Sequence, residues 1–185
     1  MKTEYRFAEA LKNMMSEVPL DSISVTTLAK KCKVNRQTFY YHFHDIYDLL
    51  TLVFLNEEIP EAQTVTNVKD LLRAIYKYYS KNKGFIDATL NSAGKELFEE
   101  FCYNICYQTF LRFVNRIQDS KKVHINDRKS VARFYALAHS YSIVYYLSTY
   151  KNKTVEGLLN CFVFESSNEF EDAIQRLLII RSKQR

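Results

Sequence analysis

Residues 23–50 read ISVTTLAKKCKVNRQTFYYHFHDIYDLL. Three residues in this stretch, Ser24, Asn35 and Asp45, carry a short side-chain oxygen of the kind that caps the first backbone N–H groups of a helix. After Ser24, the residues Val25, Leu28, Ala29 and Cys32 share one helical face. After Asn35, the run Arg36 to Phe43 forms a second short helix, and Lys33-Val34 is left as the turn between them. Two helices of about seven residues joined by a tight turn make a helix-turn-helix. Helices that short are marginal alone in water, so these need a surface to pack on. The preceding segment supplies one: Phe7, Ala10, Leu11, Met14, Met15 and Val18 follow the i, i+3, i+4, i+7 pattern up to Pro19. Leu28, Ala29, Val34, Phe39 and Phe43 then pack on one another and on Phe7 and Leu11. Asp45 caps a fourth helix with Ile46, Leu49, Leu50, Val53 and Phe54, and Pro60 closes the block.

That packing turns the other face of the second short helix to solvent. The face offers Gln37, Tyr40 and Tyr41, with Arg36 at its amino-terminal edge. Arg reads guanine O6 and N7 bidentately, and Gln reads adenine N6 and N7 in the same way. Thr38, Tyr40 and His42 carry donors suited to phosphates. From Ser22 to His44 there is no acidic residue, while Lys30, Lys31, Lys33 and Arg36 add four positive charges. The window suits a polyanion, and double-stranded DNA is the expected partner.

Composition agrees with a helical chain. Gly is 3 and Pro is 2 in 185 residues, where average usage gives roughly 13 and 9. Folds rich in tight turns use more of both, so all-α is the expected class, with about nine helices. Gly84, Gly94 and Gly157 assemble neither GxGxxG nor a P-loop, which excludes nucleotide enzymes built on those loops. The four cysteines form no CxxC, and free thiols in a reducing cytoplasm are expected. Phe134 to Tyr150 is the longest uncharged stretch; His139 and three serines interrupt it, so a buried helix is expected rather than a membrane span.

The motif Val34-x-x-x-Thr38-Phe39-Tyr40-Tyr41-His42-Phe43 followed by Asp48-Leu49-Leu50 resembles the DNA-binding segment of TetR/AcrR transcriptional regulators. The wording RQTFYYHF…YDLL most resembles a subgroup that includes activators of dihydroxyacetone kinase operons. The resemblance covers the first quarter to third of the chain. It implies an N-terminal three-helix DNA-binding domain over 1–60 and a C-terminal helical effector-binding and dimerisation domain over 61–185. Thr26 and Thr27 would face the backbone or groove edge, Arg36 and Gln37 base edges, and Thr38, Tyr40, Tyr41 and His42 phosphates and groove walls. Two positions depart from the family. Its usual turn glycine is Lys33; a positive φ there costs roughly 1 kcal/mol, which a phosphate contact by Lys33 would offset, or else the turn is shaped differently. The phosphate-binding Lys that often opens the fourth helix is absent from Asp45-Ile46-Tyr47.

The rest of the chain reads as helices over Val68–Asn82, Gly84–Asn91, Gly94–Ile117, 127–149 and Thr154 to about Arg181, with a polar loop at 118–126. Its aromatics, with Tyr hydroxyls as polar handles, suit a cavity wall. The candidate ligand-binding residues are Phe101, Tyr103, Cys106, Tyr107, Phe110, Tyr135, His139 and Tyr145. Cys102 and Cys106 at i, i+4 read as core, and no metal or cofactor is expected. Small residues Ala132, Ala136, Ala138, Ser140 and Ser142, and the broad apolar pattern of the last helix, fit a homodimer through 126–150 and 154–181. The resulting expectation is a cytoplasmic dimer on a palindromic operator, controlled by a small molecule, and a repressor rather than an activator. A second reading is a co-regulator acting through a protein partner with weak DNA binding. No nucleophile–base pair or metal-ligand spacing supports an enzyme. The overall charge of +5 is not the mark of DNA binding. Residues 1–58 hold seven basic and eight acidic residues, and the remainder 19 and 13. The excess in the second part suits either an anionic ligand or a solvated surface.

Overall fold

The computed structural model describes residues 3–165 and 168–183. Among these there are ten α-helices and no strand. Packing sorts the chain into two units, one of 1–58 with 78–101 and one of 59–77 with 102–185.

The first unit begins with α1 (Thr3–Met15), α2 (Val25–Lys31), α3 (Arg36–His42) and α4 (Ile46–Asn56). All three expected caps form. The Ser24 side chain accepts from Thr27 N–H in a reciprocal capping box, Asn35 accepts from Gln37 N–H, and Asp45 accepts from Asp48 N–H. The carboxylate of Asp48 in turn accepts from the His44 N–H at 3.1 Å, which locks the α3–α4 corner. The expected core also forms. Phe7, Leu11, Leu28 and Phe39 are fully buried, and the Phe7 ring meets Phe39 edge-on at 5.4 Å and Phe43 at 6.2 Å. Burying such a side chain is worth roughly 1.5–3 kcal/mol, more than a seven-residue helix gains from its own hydrogen bonds. The unit is completed by α6 (Lys83–Leu90), which packs against α1. A Cβ on Gly84 would lie 2.7 Å from the Ser16 carbonyl oxygen, so this approach needs glycine. Phe54, Phe85, Phe98 and Phe101 close the core on this side.

The turn between α2 and α3 is a Schellman motif. Val34 N–H donates to Ala29 O at 3.1 Å, and Lys33 N–H to Lys30 O at 3.0 Å. This geometry requires a left-handed residue at the position of Lys33, and its φ is 54°, the one positive value at a non-glycine among the described residues. The departure noted in the sequence is therefore a backbone cost and not a reshaped turn.

In the second unit, α8 (Ile125–Thr149) is the longest element. It buries Ala132, Tyr135, Ala136, His139, Ser140, Ile143, Val144, Tyr146 and Leu147. Its other face is open, with Phe134, Leu137, Tyr141 and Tyr145 exposed by 70%, 55%, 62% and 51%. The small residues read as contacts between copies are mostly turned inward: Ala132, Ala136 and Ser140 are buried, and Ala138 is exposed. Helix α5 (Val68–Lys81) and helix α7 (Lys95–Arg116) each span a boundary between the units.

The expected single helix from Thr154 to about Arg181 is two, α9 (Val155–Asn160) and α10 (Glu169–Ser182). Ser166 and Ser167, inside the expected span, lie outside the described residues. After α9 the bonds tighten to the i→i+3 type at Cys161, Phe162 and Val163. The run Asn160-Cys161-Phe162-Val163-Phe164 consists of weak helix formers, and tertiary bonds compete with it: Glu165 is held by His139 at 3.0 Å. Among the described residues no helix is long and apolar enough to cross a membrane.

Two substitutions test these local accounts. Lys33→Gly relieves the left-handed strain and is expected to raise stability by about 0.5–1 kcal/mol, read as a higher denaturant midpoint at unchanged m-value. Gly157 lies in α9, where a Cβ would meet the Tyr146 hydroxyl, which accepts from Thr154 N–H at 2.9 Å and donates to Thr154 O at 3.1 Å. Gly157→Ala is expected to destabilise by about 1 kcal/mol, opposite in sign to the gain of an ordinary helical glycine replacement. A rise in midpoint for Gly157→Ala overturns that account.

Candidate nucleic-acid interface

The candidate interface is built on the exposed face of α3. Phe39 is buried, while Arg36, Gln37, Tyr40 and Tyr41 are exposed, the two tyrosines by 55% and 85%. Position 39 is therefore the anchor, and Gln37, Tyr40 and Tyr41, about 100–160° away around the helix, are the probes, with Arg36 at their edge. Asn35 sits at the N-cap beside Arg36, its side chain taking the Gln37 N–H and its carbonyl the Thr38 N–H. Thr38 is half-buried. His42 is half-buried too, and its Nδ1 lies 3.2 Å from Glu4 Oε1, so its ring is steered by an acidic neighbour.

On α2, Thr26 and Thr27 are both exposed. The hydroxyl of Thr27 already donates to Ser24 O at 2.8 Å and accepts from Ser24 N–H. Thr26 is the freer of the two toward a partner. Lys33 is exposed at the turn, and Lys30 and Lys31 are exposed in the last turn of α2. The Arg6 guanidinium binds the Cys32 carbonyl, fastening the end of α2 to α1. All nine residues proposed from the sequence thus lie in the first unit, on α2, its turn and α3. Opposite in sign, Asp45 and Asp48 occupy the first turn of α4.

The eight candidate ligand-binding residues do not form one cluster. Phe101 belongs to the first unit, beside Phe54, Tyr78 and Phe98. In the second unit Tyr103 and Tyr107 stack on each other at 5.9 Å. Phe110, Tyr135 and His139 do come together: Phe110 meets the His139 ring at 4.8 Å, and both Phe110 and Tyr135 contact Phe170. Burial and the Glu169 carboxylate, 2.9 Å from its hydroxyl, push the Tyr135 phenol up to about 12. Cys106 is fully buried, and that burial raises its thiol well above the ordinary range. Tyr145 lies on the exposed face of α8 beside Tyr141.

Sequence reasoning missed Glu165, which lines a cavity with Phe162 and Leu159. A signal was present: Glu165 is the lone charge closing the uncharged run Gly157–Phe164. Among the described residues no group of three His, Cys, Asp or Glu side chains is placed to hold a metal ion.

No curated protein matches the chain. Among solved structures, a protein described as "Dihydroxyacetone kinase operon activator DhaS" is similar in fold, with a TM-score of 0.58, 19% identity, and coverage of 96% of this chain and 97% of that one. The family model described as "Bacterial regulatory proteins, tetR family" matches residues 8–53, which include all of α2 and α3. A second, "Transcriptional regulator C-terminal region", matches residues 66–162, more than half of the chain. The reading face of α3 and the helices that follow it therefore have one explanation: the chain belongs to the TetR family of transcriptional regulators.

Proposed function

We propose that this protein is a homodimeric, operator-binding repressor whose hold on DNA is set by a small molecule bound among the helices beyond residue 60. The observation that carries the reading is the α3 face: Arg36, Gln37, Tyr40 and Tyr41 point outward over a buried Phe39, in a window with four positive charges and no negative one. Arg36 and Gln37 read base edges, and Lys33, Thr26 and Tyr41 fix the register on phosphates. The protein acts by binding and not by catalysis, and its place is the cytoplasm. Repression asks for operator occupancy alone, and that is the mode we assign. The similar fold named an activator leaves sign to the operator's place relative to the promoter.

Dimerisation supplies the palindrome. Phe134, Leu137, Tyr141 and Tyr145 recur at i, i+3, i+7 and i+11 and form one apolar stripe along α8. A stripe of that length on a single chain is a surface awaiting a partner. A two-fold arrangement of α8 with the segment 154–181 covers it in both copies, and it presents two α3 helices to half-sites about 34–36 Å apart or a multiple of that. In this reading Tyr145 serves the dimer and not the ligand.

One observation favours the second reading, a co-regulator that relies on a protein partner. The first turn of α4 carries two carboxylates, and the Asp48 and His44 N–H groups are both already bonded to them. A phosphate approaching that turn meets repulsion instead of a lysine.

Selection of bound fragments from a random DNA library tests the function directly, and a palindromic enrichment is expected. Arg36→Ala should relax preference at one position per half-site at a cost of about 1–3 kcal/mol, whereas Lys33→Ala should weaken all sequences alike and lower the salt slope by about one. Unchanged enrichment with Arg36→Ala sinks the readout assignment, and no enrichment at all favours the co-regulator. For the dimer, Leu137→Glu with Tyr141→Glu should convert a dimer to a monomer in sedimentation at micromolar concentration; a wild-type monomer there overturns the interface.

A further inference from the structure

In the second unit a cavity of about 220 Å³ opens beside α5 and α9. Its walls are the side chains of Val68, Leu72, Leu159 and Phe162, with Lys69 and Glu165 as its charged members. For scale, an engineered apolar cavity of about 150 Å³ holds benzene. This one has room for a ring of that size and a short polar substituent.

The polar wall is built and not incidental. His139 is 1% exposed, and Glu165 is 14% exposed at its side chain. The His139 ring lies flat against Phe162, with centroids 4.7 Å apart and planes 12° apart, and edge-on to Phe110. Its Nδ1 is 2.8 Å from the Tyr135 carbonyl oxygen. A carbonyl only accepts, so Nδ1 carries a hydrogen and donates. Nε2 faces Glu165 Oε2 at 3.0 Å. Two lone pairs cannot share that distance, so a second proton sits between ring and carboxylate, and the pair is neutral as a whole. Glu165 Oε1 is left without a partner among the described residues. The ring thus fixes the carboxylate of a residue that lines the cavity, takes up one of its oxygens and balances its charge.

We propose that this cavity binds a neutral, compact apolar molecule bearing one hydroxyl, which donates to Glu165 Oε1 while its body fills the space between Leu72, Leu159 and Phe162. His139 is the positioning residue. The chemistry selects the polar group. An anion meets the carboxylate. A cation meets Lys69 and a carboxylate whose charge His139 already balances. A hydrocarbon fills the space but leaves Oε1 unsatisfied in a site it has dehydrated. The proposal rests on the reading that the second unit takes an effector, and it names the class and the place.

The test uses four probes with one ring: benzyl alcohol, toluene, benzylamine and benzoate, titrated into the full chain by ligand-observed NMR or calorimetry. Benzyl alcohol is expected to bind about tenfold more tightly than toluene, the factor a hydrogen bond to a charged group supplies, and more tightly than benzylamine or benzoate. Glu165→Gln and His139→Asn are expected to shrink the alcohol-to-toluene ratio to below about threefold. A merely structural role for either residue would weaken both probes alike and leave the ratio unchanged. Leu159→Trp, which fills the cavity and leaves Glu165 in place, is expected to abolish binding of both. The proposal is overturned if no probe binds, if benzylamine or benzoate binds best, or if the ratio survives Glu165→Gln. Operator selection on the same preparations separates the two claims: an enriched palindrome without probe binding removes this site alone, and probe binding without any enriched DNA removes the operator reading alone.

Discussion

The reading head depends on one ring. Phe7 projects from α1 into the space between α2 and α3, fully buried, and meets both Phe39 and Phe43 edge-on. Neither seven-residue helix has enough internal hydrogen bonds to persist alone. Their direction is set by which of their residues can reach that ring. Once Phe39 and, one turn on, Phe43 are taken inward, the residues on the opposite side of the helix are committed outward, and Gln37, Tyr40 and Tyr41, with Arg36 at the edge, become the surface. Which residues α3 exposes is thus a consequence of core packing on the opposite side of the same helix.

The parts of this fold that were legible in the sequence are those decided within a few residues. Ser24, Asn35 and Asp45 cap because each side chain reaches N–H groups two or three residues on, and no distant contact can change that. The turn at Lys33 was legible only as an alternative, a left-handed residue or a different shape, and its backbone bonds decide for the first. The break between α9 and α10 was not legible. Phe162 and Phe164 continue an apolar helical pattern, and what stops the helix involves a partner 26 residues away, the His139 ring that holds Glu165. The inclusion of residues 78–101 in the first unit was hidden for the same reason. Gly84 fits against Ser16 only in three dimensions, and a lone glycine in a sequence does not say which backbone it lets approach.

The aromatic residues of the later helices show how periodicity misleads when a helix has two faces to satisfy. Along α8 apolar residues are so frequent that no single stripe stands out. The structure separates them: Tyr135, His139, Ile143 and Tyr146 turn inward, and Phe134, Leu137, Tyr141 and Tyr145 turn out. From Phe134 onward α8 carries no Asp, Glu, Lys or Arg, and it presents two apolar faces, one buried within its own unit and one exposed. The inward set includes the small residues Ala132, Ala136 and Ser140, which let α8 sit close within its own unit. The outward set is large and aromatic, the residue type that association surfaces favour because it covers much area for few rotatable bonds.

Lys33 brings the two sides of the argument together. Its backbone occupies a conformation that glycine would hold without strain, so keeping a lysine there costs about 1 kcal/mol of folding stability. Among the described residues the Lys33 side chain makes no contact that repays that cost: it is exposed, and the turn's hydrogen bonds are made by backbone atoms that any residue would supply. A cation placed at the corner between α2 and α3, beside Lys30, Lys31 and Arg36, is where a polyanion lying along α3 would meet it. The acidic first turn of α4 makes the point sharper. The positive charge of this region lies at residues 30–36 and none of it in the first turn of α4, so a glycine at position 33 would relieve the backbone while removing a quarter of the window's charge.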